Sequence, residues 1–210
     1  MRLKMEKISE FTVRRLSNYF RILLELEKSG TPTVSSQRLA ELGGITSAQV
    51  RKDLSYFGNF GTRGLGYSVS ELKAAIMEIL GLNHQWTMAL FGAGSLGQAL
   101  FYHQGFRDDG FFFRHVFDID DKRVGGKWLD VEISHQRHAE EVLRRDPVAI
   151  AVIATPPAAA QDIADILVRA GTRGILNFAP TQLAVPEDVS LRNVNLAVAL
   201  ESLSFFLSQE

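Results

Sequence analysis

Gly92-Ala93-Gly94-Ser95-Leu96-Gly97 is the stretch that decides the fold of this chain. It follows an apolar run, Thr87-Met88-Ala89-Leu90-Phe91, that reads as a buried strand, and it opens a stretch, Leu96 to Phe101, that reads as a helix. Glycines at this spacing between strand and helix make a dinucleotide turn. The first permits the tight turn, the second lets backbone approach a pyrophosphate, and the third lets the helix pack on its strand. Unpaired N–H groups at the helix start then face the phosphate charge. The motif carries a second requirement, an acid closing the next strand. Phe111 to Phe117 reads as that strand and Asp118 ends it. A carboxylate there accepts both ribose hydroxyls of an adenosine and repels a 2′-phosphate, so the expected ligand is NAD(H) rather than NADP. Lys122 and Arg123 stand close enough to weaken that preference. The plainer alternative is a glycine-rich turn in an α/β domain without a ligand.

The 210 residues suffice for one large domain or two small ones, and the order of motifs favours two. With no cysteine, disulfides and thiolate metal sites are excluded. No basic-plus-apolar leader begins the chain and no apolar run approaches membrane-spanning length, so a soluble cytoplasmic protein with no membrane partner is expected. The charge is uneven. Residues 1–82 carry twelve Lys and Arg against eight acids, a net of +4, and residues 83–210 carry eleven against sixteen, a net of −5. A surface for a polyanionic partner therefore belongs to the first part.

In that part, Val13, Leu16, Phe20 and Leu23, widened by Leu24 and Leu26, form the apolar stripe of an amphipathic helix over Ile8 to Lys28, which Gly30 and Pro32 end. A short helix capped by Ser35 directs Leu39, Ala40 and Leu42 inward before Gly43-Gly44. Thr46-Ser47-Ala48-Gln49 then reads as a capping box, with Ile45 and Val50 as its hydrophobic staple. The helix it starts has two unlike faces. Val50, Leu54 and Phe57 point inward, while Ala48, Arg51, Lys52 and Ser55 present small groups and cations. Such a face suits a DNA major groove. The alternative is a solvated basic face on an ordinary helical domain. Gly58 to Tyr67, rich in glycine and aromatics, suits a tight β-hairpin with Arg63 near its tip, where a minor groove attracts a cation. A last helix, Ser70 to Leu80, places Leu72, Ile76, Ile79 and Leu80 inward, and Asn83-His84-Gln85 reads as a linker.

The stretch Val50-Arg51-Lys52-Asp53-Leu54-Ser55-Tyr56-Phe57-Gly58, continued by Gly61, Arg63-Gly64 and Gly66-Tyr67, closely resembles the signature of the Rex family of redox-sensing transcriptional repressors. The glycine motif, Phe117-Asp118-Ile119-Asp120 and Asn177-Phe178-Ala179-Pro180 follow in the family's order, so the resemblance spans nearly the whole chain. It implies an α/β protein with a winged-helix DNA-binding domain over 1–82, a Rossmann-like NAD(H)-binding domain over 83–195 and a dimerising helix over 196–210. It also implies a homodimer that binds a double-stranded operator and is released by NADH. On this reading Ser47, Gln49, Arg51, Lys52, Ser55, Tyr56 and Arg63 contact DNA, and Gly92, Ala93, Gly94, Ser95, Leu96, Gly97 and Asp118 hold the nucleotide.

The remaining sequence alternates strand and helix as a parallel sheet does. Residues through Gly126 read as a solvated turn, Ala139 to Arg145 as a helix and Val148 to Ala154 as a buried strand. Ala158 to Ala170 reads as the returning helix, and Gly174 to Phe178 as another strand. Thr155, Pro156, Phe178, Ala179 and Pro180 end the two strands at the ligand edge, near the nicotinamide half if the family resemblance holds. Residues after Asp118 leave no room for a separate substrate domain, and no histidine pairs with an acid or arginine in a catalytic spacing, so no catalytic residue is assigned. His135 and His138 lack a third ligand, so no metal is expected. The helix from Leu196 to Ser208 is apolar nearly all round. It must be buried from several sides, either on its own sheet or, as the resemblance implies, by insertion into the partner subunit.

One group of residues departs from the family pattern. Many Rex proteins carry tyrosine where His103 stands and Asp-Phe where Asn195-Leu196 stands. In them the tyrosine and aspartate exchange contacts with a first-helix arginine, matched here by Arg21, and the phenylalanine lines the partner's nicotinamide pocket. A member with weakened or altered nucleotide response is therefore a second reading. A small NAD-dependent enzyme and a plain nucleotide-binding or CoA-binding module are the remaining alternatives.

Overall fold

The computed structural model describes residues 8–62 and 64–209, and the chain divides into two compact units, 1–84 and 85–210. The expected tip cation Arg63 lies outside the described residues.

In the first unit, α1 (Glu10–Lys28) starts at Ser9, whose hydroxyl accepts the Thr12 N–H. After β1 (Thr33–Val34), α2 (Ser36–Gly43) is capped by Ser35 and ended by Gly44 in the left-handed region. Then come α3 (Ser47–Ser55), β2 (Tyr67–Ser68) and α4 (Val69–Ile79). Leu16, Tyr19, Phe20, Leu23, Leu39, Val50, Leu54, Leu72 and Ile76 form one core among the four helices. Three sequence expectations are corrected. Val13 and Leu42 are each 42% exposed, because Thr12 and Tyr19 take the inward positions of α1 and Leu39 and Ala40 suffice for α2. The glycine-rich hairpin shrinks to a single Thr62–Gly66 bridge. Its outgoing strand β2 instead pairs antiparallel with β1, and a side chain at Gly66 would meet the Val34 carbonyl at 2.6 Å.

A buried polar clamp ties α3 to α1. Asp53, fully buried, accepts two hydrogen bonds from Arg15, at 2.6 and 2.7 Å, one from the Tyr19 hydroxyl at 2.8 Å and one from the Gln49 amide at 2.7 Å. The capping box is therefore half made. Thr46 accepts the Gln49 N–H at 3.2 Å, but the Gln49 side chain turns to Asp53 rather than back to the cap. Burial alone would raise the Asp53 pKa. The hydrogen bonds from Arg15, Tyr19 and Gln49, with the Arg15 charge, outweigh it and hold the carboxyl below the ordinary carboxylate range.

The second unit is a seven-stranded sheet. Its strands, in chain order, are β3 (Trp86–Phe91), β4 (Phe111–Asp118), β5 (Lys127–Trp128), β6 (Val131–His135), β7 (Ile150–Ile153), β8 (Gly174–Asn177) and β9 (Ser190–Asn193). Their spatial order is β5-β6-β4-β3-β7-β8-β9, parallel except for β5 against β6. Without the short β5, this is the doubly wound order, and strand order reverses between β3 and β7. Helices α5 (Ser95–Phe101) and α6 (Gln104–Asp108) pack Phe101 and Phe106 on one face, over Met88, Leu90, Val116 and Val152. On the other face α7 (Ala139–Arg145) and α8 (Pro157–Arg169) cover Ala89, Phe91, Phe117, Ala151 and Ile153. Strands β5, β6 and β9 and helix α6 have no counterpart in the sequence reading. The last helix, α9 (Leu196–Leu207), buries no residue within this chain, so packing on its own sheet is overturned.

Because folding lowers the Asp53 pKa, the clamp stabilises the first unit fully at pH values above the unfolded pKa near ~4 and loses that contribution as pH falls through the folded value. Asp53→Asn is expected to destabilise this unit by about 3 kcal/mol at neutral pH. Hydrogen exchange at α1 and α3 should show that deficit narrowing as pH falls below the unfolded pKa, where the unfolded wild type takes up the Asp53 proton before the folded one does.

Candidate nucleotide cleft and nucleic-acid interface

Three strands end at one cleft. Gly92 leaves β3 at φ +99°, a conformation that favours glycine, and its N–H donates to the Phe117 carbonyl at 2.8 Å. A side chain at Gly92 would meet the Ala154 carbonyl at 2.5 Å, and one at Gly97 would run into the Gly92 carbonyl. One at Gly94 would meet nothing within 4 Å. Two of the three glycines thus serve close backbone packing, and the middle one keeps space open. This is the division expected of a turn that admits a phosphate group.

Asp118, 5% exposed, closes the turn from β4. Its carboxylate accepts the Ala93 N–H at 2.6 Å and the Asp120 N–H at 2.8 Å, and pairs with Arg123 at 3.3 Å. Two carboxylate oxygens offer about four acceptor sites and these contacts take three, so capacity for one ribose hydroxyl remains. Arg123, which also approaches Asp120 at 3.7 Å, is directed to the acids of this turn, whereas the Lys122 backbone N–H donates to the Asp120 carboxylate.

Gly92, Gly94, Asp118, Arg123, Gln136, Thr155 and Pro156 are among the lining of a cavity of about 410 Å³. Among the described residues Thr155 Oγ1 is the buried side-chain polar atom left without a hydrogen-bond partner. A hydroxyl so placed calls for a polar ligand group. Open space at Gly94, free acceptor capacity on Asp118 and the orphaned Thr155 hydroxyl together fit a dinucleotide. Gln136 escaped the sequence reading because it follows β6. The alternation Val131-Glu132-Ile133-Ser134-His135 is the signal that marks that strand.

Ala93 and Gly97 are buried, Ser95 and Leu96 exposed. Phe178, Ala179 and Pro180 lie one strand further along. The Phe178 N–H donates to the Ile153 carbonyl at 2.9 Å, while Ala179 and Pro180 line a neighbouring depression of about 260 Å³ with Asn193 and Asn195.

In the first unit Ala48, Arg51, Lys52, Ser55 and Tyr56 are exposed on α3, and Ser47 and Gln49 are half-buried. Gln49 faces the clamp, Ser55 donates to the Lys52 carbonyl at 2.7 Å, and Arg51 donates to Ser36 at 3.0 Å. Arg51 and Ser36 border a concavity of about 470 Å³ against the loop Phe60 to Tyr67. One cation, hydroxyls and backbone around such a hollow suit a phosphate backbone.

The residues that depart from the family pattern have local duties. His103 Nδ1 accepts the Gly105 N–H and its ring stacks on Phe106 at 4.8 Å. Asn195 caps α9 by accepting the Ala197 N–H at 3.0 Å, Leu196 is 63% exposed, and Arg21 lies over the Phe20 ring.

Residues 7–55 match a family model described as "Putative DNA-binding protein N-terminus" and residues 83–181 one described as "CoA binding domain". The chain is 51% identical over 204 residues to the redox-sensing transcriptional repressor Rex of Carboxydothermus hydrogenoformans, covering 97% of this chain and 98% of that protein. Among solved structures it is similar to RSP, a Rex-family repressor, in complex with beta-NAD+ and operator DNA, at 40% identity and a TM-score of 0.93 over 96% of this chain and 93% of that one. RSP in complex with beta-NADH matches at 38% identity and a TM-score of 0.89, over 97% and 95%.

The three glycines should separate on substitution. Gly97→Ala is expected to lower the Tm of the second unit by more than about 4 °C, because backbone must shift, whereas Gly94→Ala changes it by less than about 2 °C. Fluorescence of the two tryptophans, Trp86 and Trp128, follows that unit alone.

Proposed function

The chain belongs to the Rex family of redox-sensing transcriptional repressors, and from that premise we propose that it binds an inverted-repeat operator as a homodimer and leaves it when NADH enters the cleft. Its relatives are named as repressors rather than enzymes. The observation that carries the reading is the cleft at the strand-order reversal, where Gly94, Asp118 and the orphaned Thr155 hydroxyl converge. Residues 1–82 form the winged-helix DNA-binding domain, 83–195 the Rossmann NAD(H)-binding domain and 196–210 the dimerisation helix.

Arg51 and Lys52 supply charge to phosphates and base edges, Ser47, Ser55 and Tyr56 add hydrogen bonds, and Arg63 reaches the minor groove. Gln49 acts through Asp53, holding α3 against α1. In the cleft, Asp118 accepts a ribose hydroxyl, residues 92–97 enclose the pyrophosphate, and Thr155-Pro156 with Phe178-Ala179-Pro180 face the nicotinamide end. When bound, the ring is cationic in one redox state and neutral in the other. Asp118 and the glycine turn face atoms common to both states, so discrimination belongs to the loops ending β7 and β8. A ligand that prefers the arrangement unable to dock both α3 helices weakens operator binding, and the operator weakens that ligand by the same factor.

Seven exposed large apolar side chains on α9, from Leu196 to Leu207, support the homodimer and the swap. A surface helix of that composition needs a cover. Among the described residues no helix is long and apolar enough to cross a membrane, and a DNA-bound repressor works in the cytoplasm. A second reading, altered nucleotide response, is favoured by one observation: His103 and Asn195 stand where the family has Tyr and Asp and are engaged as caps.

Operator anisotropy at two salt concentrations, titrated with NADH and NAD+, tests the reading. NADH should weaken binding by about tenfold or more relative to NAD+. Arg51→Ala and Lys52→Ala should each weaken it and flatten its salt dependence. Equal effects of the two nucleotides would select the second reading, and salt-independent binding would remove the DNA assignment. Removal of residues 196–210 should leave a monomer in sedimentation, and a persisting dimer would overturn the swap.

A further inference from the structure

Asn177, at the end of β8, is fully buried and polar, and neither the cleft nor the DNA surface uses it. Its side chain joins three pieces of chain. Its amide nitrogen faces the carbonyls of Ala179 at 3.1 Å and Thr181 at 3.0 Å and the Asn193 side-chain oxygen at 2.8 Å. Its own side-chain oxygen accepts the Ala179 N–H at 2.9 Å. The first two contacts and the last fold the Phe178 to Thr181 loop back on the strand that carries it. The third reaches across to β9, where Asn193 is the register partner of Asn177.

The crossing is reinforced by backbone and leads directly to α9. The Val194 N–H donates to the Asn177 carbonyl at 2.8 Å, and the next residue, Asn195, is the cap of α9. From the loop to the first turn of that helix the contacts run in series, loop to Asn177, Asn177 to Asn193 and Val194, and, one peptide bond on, Asn195 to Ala197. Two amide hydrogens shared among three acceptors, and an oxygen that accepts from Ala179, tie the buried Asn177 to loop and strand at once, so moving either away from it costs a hydrogen bond.

We propose that Asn177 is the positioning residue that makes the Phe178-Ala179-Pro180 loop and the start of α9 move as one body, so that contacts made at the loop are transmitted to the helix between subunits. This rests on the reading above, in which the loop faces the nicotinamide end and α9 lies in the dimer interface. The arm to Asn193 carries the transmission, and the arms to Ala179 and Thr181 only shape the loop.

The exposed Asn193 offers a variant that folds. Asn193→Ala removes the acceptor of the crossing bond and leaves the other contacts of Asn177 in place, while Asn193→Asp keeps an acceptor oxygen. In the full-length ligand-free protein, Asn193→Ala should speed hydrogen exchange together at residues 178–182 and in the first turn of α9, by about fivefold for one lost hydrogen bond. Asn193→Asp should restore the wild-type rates. In the operator titration, Asn193→Ala should shrink the NADH effect by a similar factor, with ADP affinity and ligand-free operator affinity within twofold of wild type.

Exchange that quickens in only one of the two segments overturns the mechanical link, whatever the ligand does. An undiminished NADH effect in Asn193→Ala, or ADP affinity that falls in step with it, overturns the transmission role. If wild type ignores NADH while binding ADP and operator, the functional reading fails and takes the transmission role with it, and the exchange rates still decide whether loop and helix are one body.

Discussion

The second unit depends on one carboxylate kept out of water. Asp118 ends β4 and takes the N–H of Ala93 from the loop that leaves β3, so neighbouring strands are joined at their carboxyl ends through a side chain as well as through the sheet. Everything useful about the cleft follows from that bond. The glycine turn is held close against Ala154 and Phe117 and cannot fill the space above Gly94, and α5 starts at a set place. Burying a charge is costly unless it is paired and hydrogen-bonded, and here two backbone donors and Arg123 meet the requirement. The carboxylate that lines the cleft is thus also the one that shapes the loop beside it.

The first unit uses the same device for another purpose. Asp53 is the buried acid of α3, and Arg15 and Tyr19 reach it from α1. An apolar contact lets helices roll against each other at little cost, whereas a bidentate guanidinium with a hydroxyl fixes the roll as well as the distance. The clamp fixes which residues of α3 face outward. Arg51, Lys52, Ser55 and Tyr56 are exposed because Val50, Asp53 and Leu54 are locked inward.

Where residue type and position agreed, the fold was legible in the sequence. The strand before Gly92, Asp118 at the end of the next strand and the inward Val50 and Leu54 all stand where apolar patterning places them. It was illegible where burial is polar. Thr12 and Tyr19 face inward because Asp53 and Arg15 need partners, and a stripe counted by hydrophobicity gave that position to Val13 instead. The strands that escaped notice share a cause. Val131–His135 and Ser190–Asn193 are short and interrupted by polar residues near the sheet edges, where one face requires little apolar surface. The hairpin is shorter than expected for a different reason, since the partner of Tyr67–Ser68 is Thr33–Val34, some thirty residues away, and no local pattern announces a distant pairing. In the cleft, the glycines and Asp118 were readable from spacing and Thr155 from the end of its strand, whereas Gln136 owes its place to the pairing of β6 with β4.

An uncovered α9 has a consequence for the life of the chain before it meets another. A newly made subunit displays leucine and phenylalanine along an entire helix, the kind of surface that quality-control proteases and chaperones seize. On the dimer reading proposed above, survival is a race between pairing and removal, and the rate of pairing scales with the square of subunit number, so that on this reading the share of chains that escape removal grows with their own concentration.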